Sequence, residues 1–202
     1  MQTNPFREFP ESVTVGGIEY PINSDFRVGI AIETEVLSGE KPDVPGLLSM
    51  FYCGLIPENL DEAVDRMVEF YACDSSNAQK NGNTKGGRQY DFDMDADVLL
   101  ASFLSAYGVD LTTEKMHWWT FRRLMLNLPA DSPFMERVHY RVADTKKMTG
   151  DQRKHYKKMQ KLYALKKHTG QSMTVEERDA ALLEKMRKRY EEAQRDVESR
   201  QS

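Results

Sequence analysis

Cysteine is scarce in this chain, with Cys53 and Cys73 the two among 202 residues. Neither has a second cysteine or a histidine at metal-ligand spacing, so a zinc module and a disulfide framework are both excluded as organising devices, and buried free thiols in a reducing cytoplasm are expected. Long apolar runs are also missing. No stretch approaches the roughly 18 continuous apolar residues of a membrane helix, and the opening MQTNPFREFP lacks the apolar run behind a basic start that marks a secretory signal. Charge of one sign does not dominate either. Lys and Arg number 28 against 32 Asp and Glu, a net charge of -4, which argues against a chain that coats DNA or an anionic membrane as a whole. What is present is a 40% hydrophobic fraction, enough for a core, beside a 30% charged fraction that calls for surface-rich helix or a tail.

Hydrophobic periodicity predicts a mainly α protein with a small N-terminal β-hairpin and a charged C-terminal helical extension. Val13-Thr14-Val15 and Ile18-Glu19-Tyr20 alternate around Gly16-Gly17, and Pro21 stops the second strand. Helices are expected over 26–37, over 47–55, from Asn59 or Asp61 to about 72, over 95–107 with Gly108 as terminator, from a Thr112 or Thr113 cap to the residue before Pro129, and after Pro133. Residues 74–89, rich in Ser, Asn, Gly and Lys, have no apolar anchor and read as a mobile loop. From Asp151 the character changes, with Tyr156, Met159, Leu162, Tyr163 and Leu165 set among seven Lys and Arg. Thr174-Val175-Glu176-Glu177 then reads as a capping box opening a mixed-charge helix toward Ser199. The expected organisation is one mainly helical domain over 1–168 and a charged helical tail over 169–202.

No constellation for catalysis or metal binding emerges. The series Asp91, Asp93, Asp95, Asp97 resembles a calcium loop only superficially, because the places that require Gly and Glu hold Ala96 and Ser102; solvated carboxylates at a helix start are expected instead. Gly86-Gly87 lacks the lysine-serine pair of a phosphate cradle. His117-Trp118-Trp119, with Arg122 and Arg123 a turn on, is the densest chemical feature, but no nucleophile or second titrating group accompanies it. Consecutive helical positions point about 100° apart, so Trp119 is expected in the core and Trp118 at its edge, available to a protein partner. The basic stretch 146–167 fits either an acidic protein partner, a solvated face or, as the nucleic-acid alternative, phosphates.

Several stretches, in their order along the chain, resemble one family. They are Phe9-Pro10 with the hairpin, Tyr20-Pro21-Ile22-Asn23-Ser24-Asp25-Phe26-Arg27, Tyr90-Asp91-Phe92-Asp93-Met94-Asp95-Ala96-Asp97, Phe103-Leu104-Ser105-Ala106-Tyr107-Gly108-Val109-Asp110-Leu111, His117-Trp118-Trp119-Thr120-Phe121, Tyr140-Arg141 and Gln152-Arg153-Lys154-His155-Tyr156. Together they resemble the bacteriophage gene-product-fifteen family over about residues 9–168.

That resemblance implies a mainly helical, non-enzymatic tail assembly chaperone of long-tailed phages and prophages. Such a protein keeps the tape-measure protein soluble in the host cytoplasm and is expected to be absent from the mature virion. It implies no catalytic residue, metal or cofactor. Candidate partner-binding residues are His117, Trp118, Arg122, Arg123, Tyr156, Met159, Leu162 and Tyr163. The expected partners are the tape-measure protein, a tail-tube protein or another assembly chaperone, with homo-oligomers also open and no membrane or nucleic acid. Two alternatives stay open: a structural head or tail component of the virion, and a nucleic-acid-binding protein using 146–167.

Overall fold

The computed structural model describes residues 8–37, 43–72 and 89–165. Residues 74–88 of the loop expected over 74–89, Cys73, Gly86-Gly87, the capping box at Thr174 and the charged tail at 169–202 lie outside the described residues. Among those described are a hairpin of β1 (Ser12–Val15) and β2 (Ile18–Pro21) and seven helices: α1 (Phe26–Leu37), α2 (Val44–Phe51), α3 (Leu60–Ala72), α4 (Ala96–Tyr107), α5 (Trp118–Leu126), α6 (Pro133–Val142) and α7 (Gly150–Leu162). The protein is mainly α, with the small N-terminal hairpin that the alternation around Gly16-Gly17 predicts.

The chain divides into two units. The first holds 8–37, 43–72 and 116–121 of the described residues, and the second holds 89–115 and 122–165. In the first, the hairpin pairs Val13 with Tyr20 and Val15 with Ile18. Gly16 and Gly17 take φ of 58° and 79°, the left-handed pair that a two-residue turn of matching twist requires. The hairpin does not stand alone: Arg66 Nε of α3 donates to the Thr14 carbonyl at 3.1 Å, and the Gly16 amide donates to the Glu62 carboxylate at 2.9 Å. Asp43 caps α2 by accepting the Gly46 amide, and Asn59 caps α3 by accepting the Glu62 amide. Phe26, Ile32, Leu48, Phe51, Tyr52, Val64, Met67, Val68 and Tyr71 form much of the core. Tyr52, fully buried, donates its hydroxyl to the Ala63 carbonyl at 2.8 Å, joining α2 to α3.

Two local expectations are corrected here. The element expected over 47–55 ends at Phe51, because Cys53 and Gly54 turn the chain with φ of 53° and 82°. That turn leaves the Cys53 thiol exposed rather than buried. The other concerns the helix expected from Thr112 or Thr113, which begins only at Trp118. Asp110 captures the Thr112 amide and hydroxyl in a side-chain turn, and His117 is held instead in an isolated antiparallel bridge to Asp25. The Phe26 amide donates to the Met116 carbonyl at 2.9 Å and the Trp118 amide to the Ser24 carbonyl at 2.7 Å.

In the second unit, α4 ends at Gly108 in the left-handed conformation, φ 67°, as its sequence predicts. Ser102, buried mid-helix on α4, donates to the Val98 carbonyl and accepts the Phe134 amide at 3.1 Å, so one hydroxyl ties α4 to the first turn of α6. Ser132 caps α6 and Pro133 occupies its first turn. Phe92, Leu99, Phe103, Met125, Leu128, Phe134 and Val138 are the buried apolar residues. Against α6 lies α7, joined by the Gln160 amide nitrogen donating to the Ala143 carbonyl at 3.0 Å.

Candidate functional site

The features singled out from the sequence fall into both units: His117 and Trp118 in the first, Arg122, Arg123 and the α7 residues in the second. Each set is described within its own unit.

In the first unit, α3 ends with carbonyls that have no intrahelical donors, and the two tryptophans supply them. The Trp118 indole N–H donates to the Tyr71 carbonyl at 2.9 Å, and the Trp119 indole N–H donates to the Phe70 carbonyl at 2.7 Å. The same register holds for the rings. Trp118 stacks on Tyr71 with centroids 5.1 Å apart, and Trp119 stacks on Phe70 at 5.5 Å. Two consecutive residues thus meet two consecutive residues, which explains why both are buried despite pointing in different directions. Trp118 is only 1% exposed and Trp119 5%. The expectation that Trp118 lies at the edge, open to a partner, is therefore corrected: its ring is core. Gly29 of α1 makes room for it, since a Cβ there would overlap the indole.

His117 is part of the same packing. Its Nδ1 accepts the Trp119 amide at 3.0 Å, so Nε2 carries the proton and donates to the Pro10 carbonyl at 3.2 Å. Phe9, Phe70 and Trp119 surround the ring at 4.9, 5.4 and 5.6 Å. Both nitrogens are thereby engaged in holding the N-terminal segment to the start of α5. Elsewhere in this unit Glu33, buried on α1, accepts the Tyr71 hydroxyl.

The second unit contains a charged site that local spacing conceals. Asp95, read from the sequence as a solvated carboxylate at a helix start, is 1% exposed. Arg141 of α6 grips it with two nitrogens, Nη1 to Oδ2 at 2.6 Å and Nη2 to Oδ1 at 2.8 Å. Arg137 reaches Oδ1 at 3.3 Å, and the Asp91 amide donates to Oδ2 at 3.0 Å. Burial alone pushes the Asp95 carboxyl up, but the Arg141 hydrogen bonds, the Asp91 amide and the charge of Arg141 outweigh it, and the group is held below its ordinary range. Asp91, also buried, accepts the Asp93 and Met94 amides at 2.9 Å each. These acidic residues are committed to the fold. Among the described residues no group of three or more His, Cys, Asp or Glu side chains is placed to hold a metal ion.

On the α6 and α7 pair, Tyr140 gathers the aromatic side chains. Its ring lies 5.1 Å from that of Tyr156, 6.0 Å from Tyr163 and 5.9 Å from His155. His139 Nε2 is 3.3 Å from the Tyr156 hydroxyl, and His155 Nε2 is 3.4 Å from the Tyr140 hydroxyl. Burial, then Glu136, raises the pKa of Tyr140 above its ordinary value. Of the four expected contact residues on α7 and its C-cap, Tyr156 and Tyr163 join this cluster and are half-buried, as is Met159, while Leu162 is 67% exposed. Arg122 and Arg123 are half-exposed on α5. No helix among the described residues is long and apolar enough to cross a membrane.

Several of the stretches that carry the family resemblance meet within their units. Pro10 meets His117, Ser24 meets Trp118, and Asp95 meets Arg141. Comparison with known proteins gives the same family: the model of the family described as Bacteriophage Gp15 protein matches residues 7–165. No curated protein and no solved structure matches the chain. With 7–165 of 202 residues matched, the chain belongs to the Bacteriophage Gp15 protein family and is a phage protein.

Proposed function

We propose that this chain is a non-enzymatic tail assembly chaperone that binds a phage tape-measure protein in the host cytoplasm and keeps it soluble while the tail tube assembles. The observation that carries the reading is membership of the family over residues 7–165. The distribution of side chains supports it. Glu33, Asp91, Asp95 and His117 are engaged in packing, hydrogen bonding or ion pairing, whereas apolar side chains stand in solvent in each unit, Leu55 in the first and Leu104, Leu126 and Leu162 in the second, as binding an aggregation-prone client requires. With Trp118 in the core, the surface expected from the sequence contracts to Arg122 and Arg123 on α5 and to Tyr156, Met159 and Leu162 on α7 with Tyr163 at its C-cap.

Co-expression tests this. The tape-measure protein of the same phage is expected to move from the insoluble to the soluble fraction when this chain is present, and to co-purify with it. A tape-measure protein that stays insoluble, or is soluble without binding, overturns the proposal. Recovery of this chain at stoichiometric level in purified virions favours a structural component instead.

A further inference from the structure

The face of α7 turned away from α6 is unusual in its chemistry. Lys154, Lys157, Lys158 and Lys161 stand at i, i+3, i+4 and i+7, which is one side of a helix, and all four are exposed. The opposite side carries Tyr156, Met159, Gln160 and Tyr163, each half-buried. Among the described residues none of the four lysines makes an ion pair, so the positive charge of this face is unanswered there. Leu162, 67% exposed, lies one turn beyond Lys158 at the border of the stripe.

Two anionic classes could answer that charge, and the surrounding side chains discriminate between them. Phosphate recognition favours guanidinium groups, but the arginines of this pair of helices are occupied. Arg141 and Arg137 hold Asp95, and Arg153 donates to the Thr145, Lys146 and Met148 carbonyls at 3.0, 2.7 and 3.2 Å. Single strands also need open aromatic faces on which bases can stack. The tyrosines here pack against one another and against histidines on the other side of α7. What remains is a straight row of ammonium groups about 10 Å long, at 1.5 Å per residue, with an exposed leucine at its border. This row matches carboxylates repeated at the same helical spacing beside an apolar position.

We propose that the lysine face of α7 docks an acidic helical segment of a partner protein, its carboxylates at i, i+3, i+4 and i+7 laid along Lys154, Lys157, Lys158 and Lys161 and an apolar side chain against Leu162. The inference does not depend on the partner being a tape-measure protein, so failure of either reading leaves the other standing.

The full chain is titrated into a labelled alanine-based peptide of about 18 residues, long enough to hold a helix, with Glu at those four spacings and one Leu at the border. A scrambled peptide of the same composition and an oligo-dT strand are the comparisons. The matched peptide is expected to bind tightest, and the quadruple change of these lysines to Gln is expected to weaken it by about tenfold or more, with the melting temperature unchanged. The pair K154E/K158E is expected to weaken it further, and if charge reversal unfolds the chain the Gln variant alone decides. Equal binding of matched and scrambled peptides, binding that survives the Gln substitutions, or tighter binding of oligo-dT each overturns the proposal.

Discussion

α3 and α7 are both 13 residues long, yet they live in opposite environments. α3 buries Ala63, Val64, Met67, Val68, Phe70 and Tyr71, whereas α7 buries none of its residues completely. The one is stabilised by apolar contact and by tryptophans that satisfy its last carbonyls. α7 is held along one side by a ring cluster and a few polar bonds, and its other side is left to lysines. Helix formation therefore says little about what a helix is for. A buried helix consumes its side chains in the core, and a helix attached by one edge keeps a whole face for something else.

Removing Trp118 tests this contrast most severely. Trp118→Ala is expected to destabilise the first unit by about 3–5 kcal/mol, through lost burial, a cavity and an unanswered Tyr71 carbonyl. Chemical denaturation measures it, and a loss below about 1 kcal/mol would place the ring at a surface after all.

The second unit holds a buried, two-pronged ion pair between Asp95 and Arg141. Asp95→Ala leaves the buried Arg141 guanidinium without its carboxylate, and a loss of about 3 kcal/mol is expected. The same group gives the protein a pH signature. Its folded pKa is depressed, so its stabilisation is complete above the ordinary carboxyl range and drains away as pH falls through that range toward the lowered value. Melting temperatures of the wild type should therefore fall more steeply below about pH 4 than those of Asp95→Ala. Parallel slopes would mean that the pair does not carry the effect.

The smallest effect should come from the exposed edge of α7. Leu162→Ser is expected to change stability by less than about 0.5 kcal/mol, since the side chain is 67% exposed, while weakening a partner that uses it. A large stability loss in thermal melts would mean that α7 is more deeply anchored than α3 makes it look.

Much of the helical layout was legible without coordinates. The bounds of α1, the end of α4 at Gly108, the Gly16-Gly17 turn and the helix expected after Pro133 rest on neighbouring residues: a glycine that accepts positive φ, a proline that suits a first turn, a repeat of apolar positions. Local chemistry is readable because its partners are close in sequence. Reading failed where another partner intervened: two threonines promised a helix start, but Asp110 took the Thr112 amide and the distant Ser24 carbonyl took that of Trp118.

The family, too, was legible, because it is carried by ordered stretches of residues. The roles of those residues were not. Asp95 looked solvated until Arg141, 46 residues later, was brought against it. Trp118 looked peripheral until the last turn of α3, 47 residues earlier, offered it a carbonyl and a stacked ring. Composition and periodicity determined that this protein is helical and which faces are apolar or charged. Only the tertiary structure decided which charges are buried, which rings are core and which lysines are left over, because each depends on a partner whose distance in sequence carries no periodic signal.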